Sequence, residues 1–124
     1  YRASRDGWGA ADFHRCCDGK GKTMIVLKEQ QHGYIFGAYT SVPWSSTSTS
    51  HADHFAFLFS IVNPSGTPSV KLPVKGCNDY GGSYSYSVVN HAQHIGPRFG
   101  NSTDLAISDS PNTNASSSSL QYVF

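Results

Sequence analysis

Charge is scarce in this chain: Asp, Glu, Lys and Arg make up 14% of its 124 residues, and the formal net charge is +1. The nine Lys and Arg are scattered rather than grouped. A nucleic-acid surface or a polybasic membrane patch needs cations on one face, so neither partner is expected. Long apolar runs are also missing. The most hydrophobic stretch, Phe55 to Val62, has strand length and falls well short of the ~18 residues that cross a bilayer, so a soluble chain without membrane insertion is expected. There is no initiator Met. A start at Tyr1 reads as a processed mature chain or an excised segment, and processing favours a secreted, extracellular origin.

Catalytic templates are lacking too. No G-x-S-x-G elbow fixes a nucleophilic serine, and no H-E-x-x-H supplies a metalloprotease base. The G-x-x-x-x-G-K-[ST] spacing of a phosphate loop is absent, so Asp18-Gly19-Lys20-Gly21-Lys22 reads as a tight turn. Eight carboxylates without a close pair at strand ends give a glycosidase little to build with. Neither an enzyme nor a cofactor is expected. Cysteine is limited to Cys16, Cys17 and Cys77, with no C-x-x-C pair. A bridge from Cys77 to Cys16 or Cys17 would close a loop of about 60 residues and contribute on the order of 4 kcal/mol. The alternative is three buried free thiols.

What is present reads as one domain over residues 1–124, long enough for a real core. Ala10, Phe13 and Cys17 recur at helical spacing, and Asp18-Gly19 supplies a stop, which predicts a short helix over Ala10 to Cys17. Thr23 to Lys28 and Tyr34 to Tyr39 are rich in β-branched and aromatic residues and flank a Gly-containing loop, the pattern of a hairpin. The unbroken apolar run Phe55 to Val62 predicts a central strand covered on both faces. Turn chemistry at Asn63 to Pro68 leads to a strand over Val70 to Val74, and strict alternation predicts another over Tyr84 to Val88. Ser108 to Ser119 is too polar to bury much and reads as a long loop before a short strand at Leu120 to Phe124. Short strands punctuated this densely by Gly, Pro and Asn predict a mostly-β, two-sheet antiparallel β-sandwich with a few short edge helices.

Binding chemistry has several candidates. The loop Cys77 to Tyr84 combines Asn78, Asp79, Tyr80 and Tyr84 on a glycine frame, a mix that hydrogen-bonds and stacks on a polar ligand such as a sugar, and Trp44 beside Pro43 is a further platform. Asn101-Ser102-Thr103 and Asn114-Ala115-Ser116 are glycosylation sequons, meaningful in a secretory compartment. Two H-x-x-H pairs, His51 with His54 and His91 with His94, are candidate metal ligands, and Asp53 could add an oxygen. Both pairs lie in turn-like sequence and lack the general base, so no metal is assigned.

The order of these pieces carries a resemblance. Tyr1-Arg2-Ala3-Ser4-Arg5-Asp6-Gly7-Trp8, Phe13-His14, Cys17-Asp18-Gly19-Lys20-Gly21, Gly33 to Thr40 with Pro43-Trp44, and Ala56 to Ser60 come first. Gly96-Pro97-Arg98-Phe99-Gly100, Asp104 to Ile107 and Asn112-Thr113-Asn114 follow. Together they resemble the TLDc domain family across essentially the whole chain, nearest to its extracellular-looking invertebrate branch. The resemblance implies a β-sandwich with short edge helices and no established catalytic centre. For intracellular relatives it implies oxidative-stress protection and binding to the proton-pumping vacuolar ATPase. The chain departs from the family at Gly100-Asn101-Ser102-Thr103, in lacking a Cys before the Tyr-Arg-Ala-Ser start, and in ending at Phe124, before the family's last C-terminal strand. An uncompleted sheet edge predicts homo-oligomerisation. The expected function is a non-catalytic, secreted recognition module for a glycan or protein ligand; the alternatives are an adaptor for the vacuolar ATPase and a His-based metal-binding protein.

Overall fold

The computed structural model describes residues 1–64, 66–74, 89–100, 103–113 and 118–119. Helix α1 (Ala3–Asp6) is a single turn, and α2 (Ala10–Cys17) coincides with the predicted helix. Its first turn is held from two directions. Asp12 accepts the Gly9 N–H, and Asp109, far along the chain, accepts the Ala10 N–H at 2.7 Å. Two of the donors that a helix start leaves unpaired are thereby satisfied. Ala10 and Phe13 face the interior, with Cys17 partly buried beside them.

Strands β1 (Thr23–Lys28) and β2 (Ile35–Thr40) form the expected hairpin, with β2 one residue later than the pattern suggests. The Glu29 N–H donates to the Tyr34 carbonyl at 2.8 Å, and the Glu29 carboxylate accepts the N–H groups of Gln31 and His32 inside the turn. After the two-residue β3 (Ser50–His51) comes β4 (Phe57–Val62), which pairs with β2 and with β5 (Val70–Pro73). The resulting antiparallel sheet has the order β1-β2-β4-β5. A second antiparallel sheet, β3-β6-β7-β8-β9, adds β6 (Val89–Asn90), β7 (Arg98–Phe99), β8 (Leu105–Ala106) and β9 (Ser118–Ser119). The polar run from Ser108 therefore ends in a short strand rather than remaining loop throughout. The predicted strands over Tyr84 to Val88 and Leu120 to Phe124 lie outside the described residues.

Both sheets contribute to one core: Ala38 and Leu58 from the first, Val89, Phe99 and Leu105 from the second, with Phe13 of α2, Ala56 and Trp44. Two antiparallel sheets packed on a shared interior form the expected sandwich. Strand β4 departs from expectation. It is central in the sheet order, yet only its inner side is covered. Phe55 precedes the strand and is 75% exposed, and Ile61 and Val62 run past Ser60, where the pairing with β5 ends. The apolar residues on its outer face cover one another instead. Tyr39 stacks on Phe57 at 5.0 Å, and the Lys71 ammonium sits 4.1 Å over the Phe57 ring.

Candidate binding groove and the polar network behind it

Trp44 is not a ligand platform: it is 1% exposed, at the centre of the core. Phe13 and Phe99 meet it edge-on at 5.4 and 5.7 Å, and its indole N–H donates to Thr23 Oγ1 at 2.7 Å. An aromatic whose edges and donor are all engaged inside the protein has no face left for a sugar. The other proposed ligand residues, Asn78, Asp79, Tyr80 and Tyr84, lie outside the described residues, as do Cys77 and the sequon residues Asn101 and Asn114. Cys16 and Cys17 are both free thiols, and no disulfide is present among the described residues.

The histidine pairs split. His54 and His94 are exposed, whereas His51 and His91 come together, their ring centroids 4.3 Å apart. His91 is buried. Burial, with repulsion from His51 second, lowers its pKa to about 4, so it is neutral near pH 7. The Asp53 carboxylate is occupied by hydrogen bonds within the protein. It accepts the Thr40 and Ser41 hydroxyls and the Ser41 N–H, each at 2.7 Å, and the Phe55 N–H at 3.0 Å. Burial alone would raise its pKa, but these bonds outweigh it and the pKa is lowered. Among the described residues no group of three or more His, Cys, Asp or Glu is arranged around a metal-sized position.

A chain of hydroxyls joins the two histidines. His91 Nδ1 bonds Ser45 Oγ at 2.8 Å, Ser45 bonds Thr47 at 2.9 Å, Thr47 bonds Thr49 at 2.7 Å, and Thr49 bonds His51 Nε2 at 2.9 Å. His91 Nε2 is buried without a partner. Nearby, Asp18 links His14 Nδ1 to the Ser46 hydroxyl, and His14 Nε2 meets the carbonyls of Ala92 and Ile95. The alternating spacing of Ser45, Thr47, Thr49 and His51 is visible in the sequence, but the segment bends at Ser46 and Thr47, and Ser48 has φ 55°, so a folded loop and not a pleated strand brings these groups together.

A groove of about 460 Å³ lies between the helices and β1. Tyr1 and Trp8 form its rim, Phe13 and Cys17 of α2 one wall, and Pro97 and Ile107 of the second sheet's loops another. Along β1 its wall consists of Thr23, Met24, Ile25, Val26 and Leu27. Successive side chains of a strand point to opposite faces, so a cavity touching five consecutive residues runs along the backbone edge. The strand order makes that edge the outer one of its sheet. Burial pushes the Cys17 thiol up, which keeps it protonated and poorly nucleophilic. Volume, apolar lining and few polar groups suit a ligand site. Sequence reading missed this groove, because no local pattern announces which strand will stand at a sheet edge. The family model for the TLDc domain matches residues 1–122. No curated protein and no solved structure matches the chain.

Proposed function

This chain belongs to the TLDc domain family, and from that premise we propose that it is a non-catalytic recognition module whose ligand is a polypeptide held in the groove between α2 and β1. The observation that carries the reading is the wall of five consecutive β1 residues facing Tyr1, Trp8 and Phe13. Backbone amides and carbonyls beside aromatic walls suit a peptide. A glycan is the weaker candidate, since Trp44 is committed to the core. Burial pushes the Cys17 thiol up, and the hydroxyls of Ser45, Thr47 and Thr49 are bonded in series. The two sequons favour a secretory setting, which a mobility shift on N-glycosidase treatment of secreted protein would support.

The test is selection from a random-peptide display library on the intact chain, followed by binding of enriched peptides to Trp8→Glu and Ile107→Arg variants. Enriched peptides that bind the parent and lose at least tenfold in both folded variants support the reading. Enrichment no better than on a blank surface, or binding indifferent to both substitutions, overturns it.

A further inference from the structure

Resting on that reading of the groove, we infer that the ligand is an extended, acidic segment of another protein that adds to the four-stranded sheet as a strand alongside β1. The phase of the hairpin supplies the first argument. The Glu29 N–H bonds the Tyr34 carbonyl, and the register continues as Lys28↔Ile35, Leu27↔Phe36, Val26↔Gly37, Ile25↔Ala38 and Met24↔Tyr39. Hydrogen-bonded and non-bonded pairs alternate along an antiparallel ladder. Leu27 and Ile25 therefore bond inward to β2, and the N–H and C=O groups of Lys28, Val26 and Met24 point to the free edge. Among the described residues no backbone group bonds to them. Three donors and three acceptors, spaced two residues apart, match the backbone of one extended peptide.

Side chains set which peptide. One face of an added strand falls into the groove against Ile25, Leu27 and Phe13. The other face lies beside Met24 and Val26, each 59% exposed. Apolar residues are accommodated on both. The charged residues lining the groove, Arg2 and Lys20, are both cationic, and Lys22 and Lys28 stand at the two ends of the strand. Glu29, at the strand's end, is occupied by the turn's N–H groups. A second copy of this chain would bring a second set of cations to the same edge, so charge complementarity selects a foreign strand bearing Asp or Glu near its ends.

The experiment uses three blocked nine-residue peptides with an alternating Val-Thr centre: one flanked by Asp, one flanked by Lys, and the Asp peptide N-methylated at alternate residues. Each is titrated into the intact chain while amide hydrogen exchange is read by residue. The Asp peptide is expected to saturate, to slow exchange at Met24, Val26 and Lys28 by roughly tenfold or more, and to bind at least tenfold more tightly than the other two. Val26→Pro removes an outward N–H that an edge strand does not need, and it should abolish binding with an unchanged circular dichroism spectrum. A double charge reversal, Arg2→Glu with Lys20→Glu, should shift preference to the Lys peptide. Binding that perturbs Trp8 and Phe13 without slowing those three amides overturns strand addition and leaves the groove reading standing. No saturable binding by any of the three peptides also overturns strand addition, while the groove reading is decided by the library selection. Concentration-dependent protection of the same amides with a doubled mass and no peptide overturns the foreign acidic partner in favour of a second copy.

Discussion

Three strands of the four-stranded sheet are six residues long, whereas among the described residues each strand of the five-stranded sheet has two. The first sheet is held by long backbone ladders, and its outer face is left to aromatic neighbours and solvent. In the second, two-residue strands supply few ladder bonds. Side chains do more of the holding there: Asp18 and His14 tie α2 to the Ala92 and Ile95 carbonyls, and His91 anchors the Ser/Thr segment. Asp53 clamps the turn between the two sheets in the same way. A backbone ladder tolerates change at its rim, because its bonds do not depend on side-chain identity. A side-chain clamp does not.

The largest test of this contrast is at Trp44, where the two regions share a residue. Trp44→Ala should cost about 3–5 kcal/mol, read as a fall in the denaturant midpoint, and both sheets should unfold in one transition. Separate transitions by near- and far-ultraviolet circular dichroism would mean that the sheets are independent units. Acid comes next and should act on the clamps. His91 has a folded pKa of about 4 against an ordinary value of 6.5. Its neutral form therefore contributes stability that is fully present above pH 6.5 and is lost as pH falls toward 4, by about 3 kcal/mol. The Asp53 pKa is lowered, so its contribution is present above the ordinary carboxylate range and disappears at still lower pH. Urea melts between pH 4 and 7.5 check the first window, and a flat profile would remove His91 from the argument.

A smaller effect is expected inside the ladder. A Cβ at Gly37 would overlap the Ile25 carbonyl and press on the Phe59 ring, so Gly37→Ala should cost about 1–3 kcal/mol. Thermal melting decides whether the strands yield instead. The smallest effect belongs to the rim, where Met24→Thr and Val26→Thr should each change stability by no more than about 0.5 kcal/mol. A loss comparable to that at Gly37 would show that the β1 edge is part of the packed structure and not a surface kept free.

The same contrast explains what could be read in advance. α2 and β1 were legible to the residue because Ala10, Phe13 and Cys17 and the β-branched run at Thr23 carry a period over several turns or pleats. Two-residue strands such as Arg98–Phe99 and Leu105–Ala106 are too short to express any period. Trp44 was read as a surface platform because one aromatic beside a proline has no pattern around it, and its burial depends on Phe13 and Phe99 arriving from distant segments. The outer face of β4 shows the converse error. An apolar run says that a strand is central, but whether a second layer covers it is a property of the whole fold.

The hydroxyl chain between the two histidines has a direction. Each hydroxyl carries one proton, so when every hydroxyl donates along the chain all links run in one sense. If the sense ran from His51 toward His91, Ser45 would donate to His91 Nδ1 and the only proton of that neutral ring would sit on Nε2, a buried donor with no acceptor. In the opposite sense His91 donates through Nδ1, and its idle nitrogen is a bare lone pair, the lesser cost, since orphaned donors are rarer than under-satisfied acceptors. In that sense Thr49 donates to His51 Nε2. Two imidazoles forty positions apart in the chain thus share one tautomeric choice, fixed by what the deeper ring lacks.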